Sequence, residues 1–295
     1  MRAFVTGGTG FVGTWLRAHL EEEGDEVVAP HTGFDVTEPA MVREAMTAAR
    51  PDAVYQVAGL AHVGQSWEEP EEFFRVNAEG TLHVLQAARR CDPVPRVLLV
   101  SSAEVYGNVA PAQLPLQEDD PLRPVSPYAA SKAAAELLGL QAFLGHGVPV
   151  IRARPFNHAG PGQAGTFVVP ALAARILAAQ DSGAGVLRVG NLTPRRDITD
   201  VRDVVRAYRL LVDRGEPGEV YNVCSGRDIA IEELVKRMLE LAGADLELEA
   251  DPELLRPADV PVLRGDPLRL RTVTGWQPQV PLDDTLQAVL DSLRS

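Results

Sequence analysis

The opening stretch constrains the fold more than any other part of the chain. Met1-Arg2-Ala3-Phe4-Val5-Thr6 reads as a short apolar strand, and Gly7-Gly8-Thr9-Gly10-Phe11-Val12-Gly13 follows at once. A helical pattern then runs over residues 11–23. Glycines at 7, 10 and 13 permit a tight turn, close backbone approach to a pyrophosphate, and tight packing of helix on strand. The free N–H groups at the helix start face the phosphates. A glycine trio alone is a weak signal. Here strand, turn and helix stand in the order that dinucleotide binding needs, which makes Thr6, Gly7, Gly10, Phe11, Val12 and Gly13 the expected contacts.

The rest of the first half repeats the alternation. Apolar runs at 26–29, 53–57, 96–101 and 149–154 are separated by helical patterns at 40–50, 71–90 and 127–144. The runs are rich in Val, Ile and Leu without clean alternation, as in parallel strands covered on both faces. The expected class is therefore α/β, a Rossmann-type doubly wound parallel sheet. After Arg154 the texture changes, and residues 155–163 carry too many turn formers for an element interior, so a loop is expected. A helix at 169–180, a strand at 186–189, a helix at 201–214 and a strand at 220–223 follow. The tail reads as a helix at 231–241, a strand near 246–249 and a helix at 283–293. The expected division is 1–155 with 196–224 for the dinucleotide domain, and 156–195 with 225–295 for a smaller, discontinuous α/β substrate domain.

Composition narrows the partners. The net charge of −13 argues against nucleic acid or an anionic membrane surface. No apolar run approaches the roughly 20 residues needed to span a bilayer, and no targeting segment is read. Cys91 and Cys224 are not spaced as a metal knuckle, so no metal is expected. Both read as packing residues in a reduced, cytoplasmic setting.

Two segments supply a reacting set. Tyr128 and Lys132 stand four apart on a helix, hence on one face. A phenol is a weak acid–base group at neutral pH, and a neighbouring ammonium is expected to lower its pKa. The buried-type strand ending in Ser101-Ser102 delivers a hydroxyl at its carboxyl end, where open α/β sheets bind ligands, and Ser102 can hold a reacting carbonyl. Pro30 and His31 end the second strand, offering neither the acid that favours NAD nor a basic residue for NADP, so the choice stays open. Asp35 and Val36 are placed beside the adenine.

With the glycine loop, Ser102 before Tyr106-Gly107, and Tyr128-x-x-x-Lys132, the chain resembles the extended short-chain dehydrogenase/reductases acting on nucleotide sugars. The resemblance implies hydride exchange at the nicotinamide, a proton relayed by Tyr128, and Asn77, Tyr128, Lys132 and Pro155 at the cofactor, with Lys132 able to bond the nicotinamide ribose. Three further blocks, 154–163, 189–203 and 255–266, are similar to the GDP-mannose 4,6-dehydratase and GDP-4-keto-6-deoxymannose reductase group. That similarity implies a GDP-linked deoxyhexose held by Ser102, Asn157, Asn191, Arg196, Arg256 and Asp259. Guanidinium forks suit its diphosphate. Arg188, Arg195 and Arg264 read as isolated surface residues, and His158 receives no acid–base role.

Glu104 matches the glutamate that serves dehydratases as the elimination base, and so keeps that reaction in play. The glycine loop, the 196–203 stretch and the chain length instead resemble the reductases. The expectation is NAD(P)H-dependent reduction of GDP-4-keto-6-deoxy-D-mannose to GDP-D-rhamnose, with the 4,6-dehydratase as alternative. A 4-epimerase and a non-catalytic dinucleotide sensor rank lower. By the same resemblance a homodimer is expected, through helices 71–90 and 127–144.

Overall fold

The computed structural model describes residues 1–30, 33–254 and 260–294. The chain runs β1 (Arg2–Thr6), α1 (Phe11–Glu22), β2 (Glu26–Val28), α2 (Pro39–Ala49) and β3 (Ala53–Gln56). Next come α3 (Pro70–Phe74), a π-helical turn at Arg75–Glu79, and α4 (Gly80–Ala88). Then follow β4 (Arg96–Val100), α5 (Pro127–His146) and β5 (Val150–Pro155). Beyond these lie β6 (Asn157–Ala159), α6 (Val168–Ser182), β7 (Val186–Val189), β8 (Arg195–Asp200), α7 (Val201–Arg214) and β9 (Val220–Val223). The chain closes with β10 (Asp228–Ala230), α8 (Ile231–Ala242), β11 (Glu247–Ala250), β12 (Val262–Leu263), α9 (Leu268–Thr274) and α10 (Leu282–Arg294).

Six strands form one parallel sheet in the order β2-β1-β3-β4-β5-β9. Its apolar runs are continuous because alternate side chains enter different cores. Ala3 and Val5 pack with Leu16, Leu20, Val204 and Leu211 on the face that carries α1 and α7. Phe4 packs on the other face with Val42, Met46, Val84 and Leu85. Full burial of such aliphatic side chains contributes about 1.5–3 kcal/mol each. The strand order reverses between β1 and β3, which opens a crevice at their carboxyl ends.

A second core joins α6, α8 and α10 through Leu172, Ile176, Leu234, Met238, Leu286 and Leu290. It adjoins a small sheet, β10-β8-β12, with β6 paired to β8. The expected division at 195/196 falls inside β8, which pairs in this small sheet. Residues 155–163 were expected to be loop throughout. Instead Asn157–Ala159 forms β6, because Asn157, His158 and Ala159 register against Ile198, Thr199 and Asp200. That pairing is long-range, so turn-rich local composition could not reveal it. Among the described residues, no helix is long and apolar enough to cross a membrane.

Candidate active site

The glycine turn is built by close approach. Gly7 has φ of 66°, and a Cβ there would lie 2.8 Å from the backbone of Ala58 in the segment after β3. A Cβ on Gly13 would overlap the Gly7 carbonyl oxygen and fall 2.8 Å from the Gly8 Cα. Helix α1 is thus pressed against the strand end, and its N-cap Gly10 supplies no side-chain cap. The helix leaves N–H groups pointing out of its N-terminus, the arrangement a pyrophosphate needs. Thr6 does not face this space. It is fully buried, donates to Gln56 Oε1 at 2.7 Å and accepts from the N–H of Val57 and Ala58, so it ties β1 to β3.

The turn opens into a cavity of about 1390 Å³. This exceeds the roughly 300–1,000 Å³ of a single small-ligand pocket. Gly7, Gly10, Phe11, Val12, Gly13, Asp35, Val36 and Pro155 line one part of it. Ser102, Glu104 and Tyr128 stand on it, as do Asn157, Asn191 and Arg196. Asp35 is held in its own turn, and the Thr37 N–H and hydroxyl keep its carboxyl below the usual range. His31, Arg256 and Asp259 lie outside the described residues.

Ser102 and Tyr128 meet although they are far apart in sequence. Ser102 directly follows Ser101 at the end of β4, and Ser126 caps α5 by accepting the Ala129 N–H at 3.1 Å, which sets Tyr128 in the first turn. The Ser102 hydroxyl lies near enough to the phenol to favour its ionised form, while its Oγ accepts the Glu104 N–H at 3.2 Å. Burial pushes the Tyr128 pKa up to about 12, with Ser102 opposing the rise and Glu104 adding to it. The expected lowering by Lys132 is therefore not found. Lys132 is buried, and its Nζ donates to the Val100 carbonyl at 2.5 Å. Burial pulls its own pKa down to about 8, against the pull of Glu136. One turn further along α5, Glu136 grips Arg154 of β5 through three contacts of 2.6–3.2 Å.

Asn77 also lies behind the cavity wall. It sits in the π-helical turn, accepts from the Leu60 N–H at 2.8 Å, and donates to Leu60 O and Ser131 Oγ. It thereby pins the segment after β3 to α5. His158 is half-buried and kept toward its neutral form, stacked on Phe11 with ring centroids 6.1 Å apart. Arg195 and Arg264 are not isolated, because both pair with Asp228, whereas Arg188 is exposed.

Two cavity residues carried no role from sequence. Gln163 donates to the His158 carbonyl at 3.0 Å, and its buried Oε1 has no partner among the described residues. The buried Oδ1 of Asn157 is in the same state. Arg175 lines the cavity from α6 and donates to the Arg188 carbonyl. Gln163 stood inside a matched block, but nothing local marks which of its atoms lacks a partner.

A doubly wound sheet with a serine at the end of β4 and a Tyr-x-x-x-Lys pair opening the next helix is the extended short-chain dehydrogenase/reductase arrangement. Within that class the chain belongs to the GDP-mannose 4,6 dehydratase family, whose model matches residues 31–289. It is 40% identical to the GDP-6-deoxy-D-mannose reductase of Pseudomonas aeruginosa, over 100% of this chain and 97% of the relative. A GDP-mannose 4,6-dehydratase of Yersinia enterocolitica is 26% identical, over 96% of this chain and 91% of that one. Among solved structures, RMD from Pseudomonas aeruginosa complexed with NADPH superposes with a TM-score of 0.90 at 37% identity, covering 99% and 98% of the two chains. The UDP-glucose 4-epimerase of Thermus thermophilus with NAD superposes with a TM-score of 0.89 at 30% identity, covering 100% and 99%.

Proposed function

We propose that the chain reduces the C4 keto group of GDP-4-keto-6-deoxy-D-mannose to give GDP-D-rhamnose, using NADPH or NADH. The buried Ser102–Tyr128 hydroxyl pair carries this reading, because it lines the same cavity as the glycine turn and as Asn157, Asn191 and Arg196. Similarity to a GDP-6-deoxy-D-mannose reductase over the full chain supports it.

The residues fit a dinucleotide. The uncapped start of α1 and the backbone surface at Gly7, Gly10 and Gly13 would hold the pyrophosphate, and Asp35, Val36 and Pro155 would flank the adenosine and nicotinamide ends. When bound, the reduced nicotinamide supplies the hydride that adds to the sugar's C4. Ser102 donates to the substrate carbonyl and orients it. A phenol with a pKa near 12 is fully protonated at neutral pH, the state reduction requires, so Tyr128 gives its proton to the oxygen as charge develops there. Lys132 and Asn77 position this helix and the segment facing it. The unpartnered oxygens of Asn157 and Gln163 accept hydroxyl hydrogens of the nucleotide sugar, and Arg196 faces the diphosphate. The sugar nucleotide lies against segments 156–195 and 225–295.

Glu104, on the cavity wall beside Tyr128, favours a second reading, the 4,6-dehydratase. One assay separates the two. Purified protein given GDP-4-keto-6-deoxymannose with NADPH or NADH should consume the cofactor; a 4-keto product from GDP-mannose alone, without net cofactor consumption, would replace the reductase by the dehydratase. The working form in this reading is a cytoplasmic homodimer. The exposed Leu137 and Leu144 of α5 and Phe74 of α3 support helix-mediated pairing.

A further inference from the structure

We propose that Arg17 binds the adenosine 2′-phosphate of NADP, so that this chain selects NADPH over NADH; this rests on the dinucleotide reading above. In doubly wound folds the ribose 2′ position meets the carboxyl end of the second strand, where an acid selects NAD and an arginine accommodates NADP. Here Ala29 follows β2 directly, and Pro30 comes next, so neither offers a carboxylate. The nearest acid in sequence beyond them, Asp35, is committed to Thr37 through two 2.8 Å hydrogen bonds.

The cation comes from another element. Arg17, in the second turn of α1, folds back over the glycine turn. Its Cδ lies 3.0 Å, and the Ala29 Cβ 3.4 Å, from the point a Cβ of Gly8 would occupy. The arginine stem and the end of β2 therefore converge on Gly8, between the cavity-lining Gly7 and Thr9. Its guanidinium is poorly satisfied. Nη1 reaches the Gly8 carbonyl only at 3.5 Å, and the buried Nε has no hydrogen-bond partner among the described residues. Among the described residues no carboxylate pairs with it, although the chain carries a net charge of −13. A half-buried fork fixed by its stem, short of acceptors and beside the end of β2, suits a phosphate dianion.

The test is equilibrium binding to the full chain, with NADPH and NADH titrated by fluorescence and adenosine 2′,5′-bisphosphate and 5′-AMP by calorimetry. Wild type should prefer NADPH and the bisphosphate. Arg17→Met, which keeps the stem packing, should weaken both by about 10–100-fold, as loss of a charged hydrogen-bonding group predicts. NADH and 5′-AMP should stay within about twofold, and the unliganded melting temperature should be unchanged; Arg17→Ala serves as the second variant. Equal loss of NADPH and NADH affinity in the variant, or a wild-type preference for NADH, would overturn the assignment while leaving dinucleotide binding intact. Wild type that binds neither dinucleotide would overturn both readings.

Discussion

Replacing Lys132 with methionine is expected to stabilise the fold. The lysine is 7% exposed, and burial lowers its pKa from 10.5 to about 8. That drop corresponds to about 3 kcal/mol of cost for keeping the ammonium charged inside the protein at neutral pH. The 2.5 Å bond to the Val100 carbonyl is lost in the variant. Its loss returns about 1–2 kcal/mol of that gain. A net gain of about 1–2 kcal/mol should remain, since methionine fills similar space without a charge. The pH dependence is a sharper check. Between pH 8 and 10.5 the unfolded chain binds the lysine proton and the folded chain has released it, so wild-type stability rises across that window. The methionine variant lacks this contribution. Its advantage should be full below pH 8 and fade toward pH 10.5. Urea unfolding followed by far-ultraviolet circular dichroism, at neutral pH and again near the upper end of that window, measures the difference directly. A variant no more stable at neutral pH, or equally advantaged at both, would refute the reasoning.

Other perturbations probe the neighbouring parts. Glu136→Ala leaves the buried Arg154 guanidinium without its carboxylate, which should cost about 3–5 kcal/mol; a urea midpoint close to wild type would show that the pair is not needed. Gly13→Ala drives a methyl into the Gly7 carbonyl, so the melting temperature should fall with a loss of at least about 1–3 kcal/mol, and NADPH affinity should fall with it. Unchanged values of both would contradict the packing described for the turn. Tyr128→Phe should lower kcat by at least about 10²–10⁴-fold while NADPH binding measured by fluorescence is retained, and preserved turnover would remove the phenol from proton transfer.

Much of the fold was legible because its signals are local. The strand–turn–helix at residues 1–23, the apolar runs of the parallel sheet and the i, i+4 pair of Tyr128 and Lys132 depend on neighbours in sequence. The small sheet was less legible. β6, β10 and β12 have two or three residues each and exist only because β8 lies beside them. The same limit applied to charges. Arg195 and Arg264 read as surface residues until the fold brought both to Asp228, and Arg17 carried no signal until α1 placed it over Gly8.

The amino-acid sequence by itself determined the doubly wound class, the glycine turn and the identities of Ser102, Tyr128 and Lys132. Periodicity and spacing encode those features within a few residues. Only the tertiary structure decided how these groups behave. Tyr128 is held protonated by burial next to Ser102, and Lys132 points at a backbone carbonyl instead of lowering the phenol pKa. Asn77 braces the wall instead of lining it. A pKa depends on what surrounds a group in every direction, and those surroundings come from segments far apart in the chain.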